Sequence, residues 1–166
     1  SGGSYYGGVR TQGGGGGSYV AGSRYYGGGY GGYYGGGYAT RPGAYGPNDL
    51  DSDACLRNRV VYFDLDQDAL KPEFQAAMAC HAKYLRDRPT ARLRLEGNAD
   101  ERGSREYNLG LGERRGNAVS SALQANGGSA SQQTVVSYGE ERPVCNDCGE
   151  SCWSQNRRVE LVYSAK

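Results

Sequence analysis

The chain has 166 residues and a formal net charge of +1. Residues 1–46 hold 20 of the 29 glycines and 10 of the 15 tyrosines, and no Asp, Glu, Lys, Leu, Ile, Phe or Met. Such a stretch cannot bury enough apolar surface to offset its ordering entropy, which leaves about 115 residues for one domain and too few for two. Past residue 48 the chain carries 16 basic and 18 acidic residues, a balance that excludes an electrostatic nucleic-acid binder.

No run of 18 apolar residues exists to span a membrane as a helix, and no charged-then-apolar signal sequence opens the chain. Residues 1–48 therefore read as a Gly/Tyr-rich low-complexity tether, and 49–166 as the folded domain. As a random coil the tract would span roughly 35–40 Å. A second reading makes it adhesive, with tyrosines stacking on one another or on a partner.

Residues 60–66, VVYFDLD, are β-branched and aromatic and predict a strand. From Lys71 to Arg88, Phe74, Ala77, Met78, His81, Tyr84 and Leu85 recur at helical spacing, with Pro72 in the first turn and Pro89 past the end. His81, the only histidine, falls on that apolar face and reads as a core residue. Residues 91–97 alternate Leu93 and Leu95 against Arg92, Arg94 and Glu96, predicting a strand with one buried face. Ser104 is placed to cap a helix running to about Asn126, with Glu106 in its first turn and Gly127–Gly128 as its stop. Residues 134–139 and 157–163 predict two more strands, and 140–156 a polar, cysteine-bearing loop. The order β-α-β-α-β-loop-β predicts an α/β sandwich with helices packed on one mixed sheet, the first three strands being candidates for parallel neighbours.

The long second helix carries the candidate site. Asn108, Leu111, Arg115 and Ala118 lie on one helical face, which Val119 and Ala122 continue into the core. A guanidinium on that face needs an anionic partner. Asp100, in the preceding loop GNADERG, could supply it as an internal salt bridge. Alternatively Arg115 keeps its fork for a ligand carboxylate and Asp100 receives an ammonium, so that the pair holds a zwitterion. Gly110, Gly112 and Gly116 each cost a helix interior about 0.8–1 kcal/mol relative to Ala. They call for close approach of a ligand or a backbone, packing on the sheet being the plainer reason.

The stretch EGNADERGSREYNLGLGERRGNAVSSAL resembles the peptidoglycan-binding motif of OmpA-like domains, and its DERG, EYN and LGERR are most similar to the peptidoglycan-associated lipoprotein (Pal) subgroup. VYFDLD, VVSYGEERP and NRRVELVY resemble that subgroup's flanking strands, so the likeness runs from about Val60 to Tyr163. It implies non-covalent binding of the peptide stem through diaminopimelate, with the family's Asp on Asp100, its Arg on Arg115 and its Asn on Asn108. Asp66 and Arg157 match positions that border the family's pocket, and Leu111 shares the helical face that lines it. Asn98 stands where the family usually has His.

The resemblance further implies a periplasmic place at the outer membrane, a lipidated Cys before Ser1, and Tol-system partners such as TolB. It implies no cofactor, and no general base sits beside a Ser or Cys nucleophile in a recognisable motif, so no catalysis is expected. The alternative within the family is a wall anchor in a larger machine, a motor or a secretion apparatus.

Five cysteines remain: Cys55, Cys80, Cys145, Cys148 and Cys152. A periplasmic setting favours disulfides among Cys55, Cys145, Cys148 and Cys152, with Cys80 expected as the unpaired, buried thiol. A different class of reading makes CNDCGESC a metal or redox site, with Cys55 or Cys80 as a fourth ligand. Arg115→Ala is expected to leave the fold intact and to abolish co-sedimentation with peptidoglycan.

Overall fold

The structure, a computed structural model, describes residues 43–166. The tether and adhesive readings of the Gly/Tyr tract fall on residues 1–42 and lie outside the described residues. In chain order the elements are α1 (Asp49–Ser52), β1 (Val60–Tyr62), a 3-10 turn (Pro72–Phe74) running into α2 (Gln75–Asp87), β2 (Arg92–Asn98), α3 (Arg105–Ala125), a second 3-10 turn (Ala130–Gln132), β3 (Gln133–Gly139), α4 (Glu150–Asn156) and β4 (Arg158–Ala165).

The helical stripe read in the sequence is the stripe that is buried. Phe74, Ala77, Met78, His81, Tyr84 and Leu85 all pack inward, and Pro72 opens the turn that feeds α2. Val61, Leu93, Leu95, Val159 and Leu161 face them from the sheet, with Val119 and Leu123 from α3, in one core. His81 is fully buried, its ring nitrogens 2.8 Å from the Tyr163 hydroxyl and 3.1 Å from the Asn58 carbonyl. The other sheet face is charged, with Arg94 on Glu96 at 2.7 Å and Arg158 on Glu160 at 2.6 Å.

Helix α3 begins and ends as its sequence dictates. The Ser104 hydroxyl accepts from the Tyr107 N–H at 3.1 Å. At the other end Gly127 takes a φ of +98°, and the Gly128 N–H returns to the Leu123 carbonyl at 2.8 Å. The helix lies unusually close to the sheet. A Cβ on Gly97 of β2 would sit 1.9 Å from the Gly112 carbonyl oxygen, and one on Gly112 would sit 2.3 Å from Ser137 Oγ. A Cβ on Gly116 would meet Val135 at 2.7 Å. Packing on the sheet, and not a ligand, accounts for Gly112 and Gly116; a Cβ on Gly110 would meet only the Arg114 side chain, at 3.4 Å.

Strand order corrects the expected set of parallel neighbours. The sheet runs β1-β4-β2-β3; only β2 and β3 pair in parallel, and β4 inserts antiparallel between β1 and β2. β1 points the same way as β2 but never touches it. The alternation of Val159 and Leu161 makes β4 a well-buried strand, long enough to serve both neighbours.

β1 is also shorter than expected, because its continuation gives up ladder geometry. The carbonyls of Phe63, Asp64 and Gln67 accept from arginine side chains instead. Residues 150–156, expected as loop, form α4. This helix buries only Cys152 and Asn156, and the Asn156 side chain ties it back by accepting from the Val144 and Cys145 N–H groups.

The chain enters the domain at the pole where α2 ends. The Tyr45 N–H donates to Asp87 at 2.9 Å, and Lys83 donates to the Gly43 carbonyl while covering the Tyr45 ring. Asp87 lies just before the start of β2. The seven residues of β2, at about 3.3 Å each, carry the chain from this pole to the opposite one.

Candidate functional site

Where β2 ends, its chain turns through residues 99–103 into α3 and leaves a cleft of about 270 Å³. Leu65 and Asp66 wall it from the segment after β1; Ala99, Asp100, Arg102 and Gly103 from the turn; Tyr107, Asn108, Leu111 and Arg115 from α3. The i, i+4, i+8 spacing of Tyr107, Leu111 and Arg115 makes this wall one helical face.

Arg115 is fully buried, yet it forms no ion pair among the described residues. Its Nε donates to the Gln67 carbonyl at 2.7 Å, one terminal nitrogen to Asn98 at 2.9 Å and the other to Asp64 at 3.0 Å. A guanidinium carries five N–H groups, so these three bonds leave two, one on each terminal nitrogen, in a residue that lines the cleft. Burial, followed by the nearby charge of Arg157, lowers the Arg115 pKa to about 10, so the group stays charged at neutral pH. The internal bridge to Asp100, one of the two partners the sequence left open, is absent among the described residues. The cation is held by main-chain oxygens and its charge is not cancelled in contact.

Asp100 is 4% exposed and opens onto the same cleft. Its Oδ1 accepts from the Arg102 main-chain N–H at 3.0 Å and from Arg102 Nε at 3.1 Å; its Oδ2 accepts from the other end of that guanidinium at 2.7 Å. Arg157 stands behind at 3.5 Å, itself fixed by the Phe63 carbonyl and by Glu150. Burial pushes the Asp100 carboxyl up, but the bonds from Arg102 outweigh it and leave the net shift downward. Asp100 is therefore ionised at neutral pH.

The other sequence candidates divide by role. Asp66 lines the cleft at a φ of +58° and accepts from the Tyr107 hydroxyl. Leu111 gives the cleft an apolar floor. Asn108 braces the turn, donating to the Arg102 carbonyl at 2.9 Å and to Glu140 at 2.6 Å. Arg157 lies behind Asp100 and outside the wall. Asn98 does not line the cleft either: its side chain donates to the Glu96 and Arg158 carbonyls, and only its own carbonyl reaches Arg115. Sequence reasoning missed Arg102 and Tyr107, although DERG and EYN were the motifs that pointed here. It also missed Trp153, whose ring lies 3.9 Å under the Arg102 guanidinium.

The cysteines form two pairs. Cys55 bonds Cys80 across a Cα separation of 6.4 Å, and Cys145 bonds Cys152 across 5.4 Å. Cys148 is left as an exposed thiol. Cys80 was expected to be the free one and Cys148 a partner; both are corrected. Cys80 sits at the half-exposed edge of the α2 stripe, where the segment before β1 brings Cys55 into disulfide range. The metal reading loses its donors to these bonds, and no cluster suited to a metal occurs among the described residues.

A mixed four-stranded sheet carrying its long helices on one face, with an Asp/Arg cleft at the turn into the second of them, defines an OmpA-like domain. The OmpA family matches residues 62–157, and the chain belongs to that family. Within it the chain is closely related to the peptidoglycan-associated lipoproteins. The one from Pseudomonas putida is 49% identical over 126 residues, 75% of either chain. The crystal structure of the one from Burkholderia pseudomallei superimposes with a TM-score of 0.68 at 42% identity, covering 70% of this chain and 98% of that one. The C-terminal domain of Helicobacter pylori MotB shares the fold, with a TM-score of 0.58 at 20% identity over 64% of this chain and 83% of that one.

Proposed function

We propose that this protein binds peptidoglycan non-covalently, through the diaminopimelate of the peptide stem, and so ties the outer membrane to the wall from the periplasmic side, as a Pal-like member of the Tol-Pal system. It acts by binding and not by catalysis. The observation that carries this reading is the buried Arg115 cation, held by three carbonyls with N–H groups to spare and sharing its cleft with Asp100. A zwitterionic amino-acid head offers each group a counter-ion: a carboxylate for Arg115 and an ammonium for Asp100. Leu111 and Leu65 would pack on the methylenes between. Kinship with the peptidoglycan-associated lipoproteins supports the same ligand.

The poles of the domain suit this task. Gly43–Tyr45 dock at the end opposite the cleft, so a tether formed by the residues ahead of them would leave on one side while the wall is held on the other. A lipid on a Cys preceding Ser1 would supply the membrane end, and a TolB-like protein the periplasmic partner. The MotB likeness is one of fold, and no feature of the cleft favours a motor or secretion apparatus over the Pal reading.

Co-sedimentation with purified peptidoglycan tests the proposal. The wild type should pellet with sacculi and be released by soluble muropeptides carrying diaminopimelate. Asp100→Asn keeps the shape and removes the charge; it should stay in the supernatant, with circular dichroism confirming that it is folded although it melts lower for the loss of its bonds to Arg102 and Arg157. Full retention of wall binding by that variant would refute the assignment.

A further inference from the structure

Arg102 occupies the carboxylate that the proposed ligand needs. Its guanidinium and its main-chain N–H together make three bonds to Asp100, between 2.7 and 3.1 Å, and Arg102 itself lines the cleft. The Arg102 side chain is also clasped from outside. It stacks on Trp153, whose indole N–H donates to Glu101 at 3.2 Å, and Glu150 lies 3.9 Å from its terminal nitrogen. Trp153 and Glu150 both belong to α4, which the Cys145–Cys152 disulfide fastens to the loop before it. The chain thus carries a second structural unit around the cleft, which the sequence motifs of the site did not include.

We infer that Arg102 is a displaceable internal occupant of the ammonium subsite, positioned by Trp153, and that it sets the affinity of the cleft. This rests on the peptidoglycan reading above. An incoming ammonium takes the Asp100 carboxylate, and the Arg102 guanidinium slides along the indole toward Glu150, which already lies close enough to receive it. The stack keeps the displaced arginine near, so it returns when the ligand leaves. Apparent affinity falls by the fraction of time the carboxylate is free, and removing the occupant restores it. A carboxylate without an ammonium can reach Arg115 but has nothing with which to displace Arg102.

Trp153 is the only tryptophan of the chain, so its emission reports on Arg102 directly. The full chain is titrated with a soluble muramyl tripeptide ending in diaminopimelate, following fluorescence and heat in parallel. The muropeptide should change Trp153 emission in the wild type, and pimelate, the same carbon chain without amino groups, should not. Arg102→Ala should bind the muropeptide about tenfold tighter, with no change in emission on binding. Trp153→Leu keeps the arginine but frees it from the stack, and should bind about threefold tighter by heat.

Equal or weaker binding by folded Arg102→Ala, or a wild-type emission that ignores the muropeptide while heat shows it bound, overturns the occupant role and leaves the peptidoglycan reading standing. A wild type that releases no heat with muropeptide and fails to pellet with sacculi overturns both.

Discussion

Asp100 and Arg115 open onto one cleft, yet neither is the other's partner: the carboxylate is taken by Arg102 and Arg157, and the guanidinium by three main-chain carbonyls. The two opposite charges therefore do not neutralise each other, although they share the cleft. The arrangement also makes Arg115 a structural residue, because its one side chain supplies donors to the segment after β1 and to the end of β2 at once.

Arg115→Ala should accordingly cost more than binding. It removes the guanidinium that the Asp64, Asn98 and Gln67 carbonyls share; Asp64 keeps the Gln67 N–H, while the Asn98 and Gln67 carbonyls lose a charged donor, at about 1–3 kcal/mol for each group left unsatisfied. A net loss of about 3–5 kcal/mol is expected in urea melts, which replaces the sequence-based expectation of an intact fold. Arg115→Lys should lose less stability, because an ammonium still reaches some of those oxygens, but it should lose wall binding with its fork. A melt of Arg115→Ala within 0.5 kcal/mol of wild type would contradict this account.

The glycines of α3 should respond in opposite directions. Gly110→Ala adds a methyl that meets only the tip of the Arg114 side chain, at 3.4 Å, and gains helix propensity, for a rise of about 0.5–1 kcal/mol. Gly112→Ala drives a methyl to 2.3 Å from Ser137 Oγ and 2.9 Å from the Gly97 carbonyl, and should lose about 1–3 kcal/mol despite the same propensity gain. Chemical denaturation of the two variants side by side gives the comparison, and equal signs would be incompatible with the packing described.

Acid should act first through His81. Burial holds its folded pKa down at about 4, against 6.5 for the free side chain. Between those values the unfolded chain binds the proton and the folded one does not, so stability falls as pH falls through this window. The loss from pH 7 to pH 4 amounts to about 3 kcal/mol from this residue. In His81→Gln the slope of stability against pH between 6.5 and 4 should flatten by that amount, even though the variant starts out weaker at pH 7. An unchanged slope would show that His81 is not the group responsible.

Thiol chemistry should find one reactive cysteine. Iodoacetamide on the native oxidised protein should add a single carbamidomethyl group, mapped to Cys148, and five after reduction under denaturing conditions. On the chain-entropy view, the Cys55–Cys80 bond, closing 25 residues, contributes about 3.5 kcal/mol, and the Cys145–Cys152 bond, closing 7, about 2.4 kcal/mol. Cys55→Ser paired with Cys80→Ser should therefore lower the melting temperature more than the corresponding pair at 145 and 152.

The amino-acid sequence by itself determined the two long helices, the positions of four strands and the core stripe of α2. These rest on periodicities of 3.6 and 2 and on local caps such as Ser104, all readable from neighbours along the chain. It also placed Asp100 and Arg115 at one site, because a turn and the first turns of a helix are close in sequence. Only the tertiary structure decided that β4 separates β1 from β2, since pairing between distant strands depends on which edge is left open when the helices pack. It decided that Cys55 meets Cys80, and that α4 forms at all, because a helix of seven residues is held by Asn156 and a disulfide and not by its own pattern. The carbonyls that hold Arg115 were hidden for a simple reason. Every residue has a carbonyl, and the fold alone turns three of them toward the same cation.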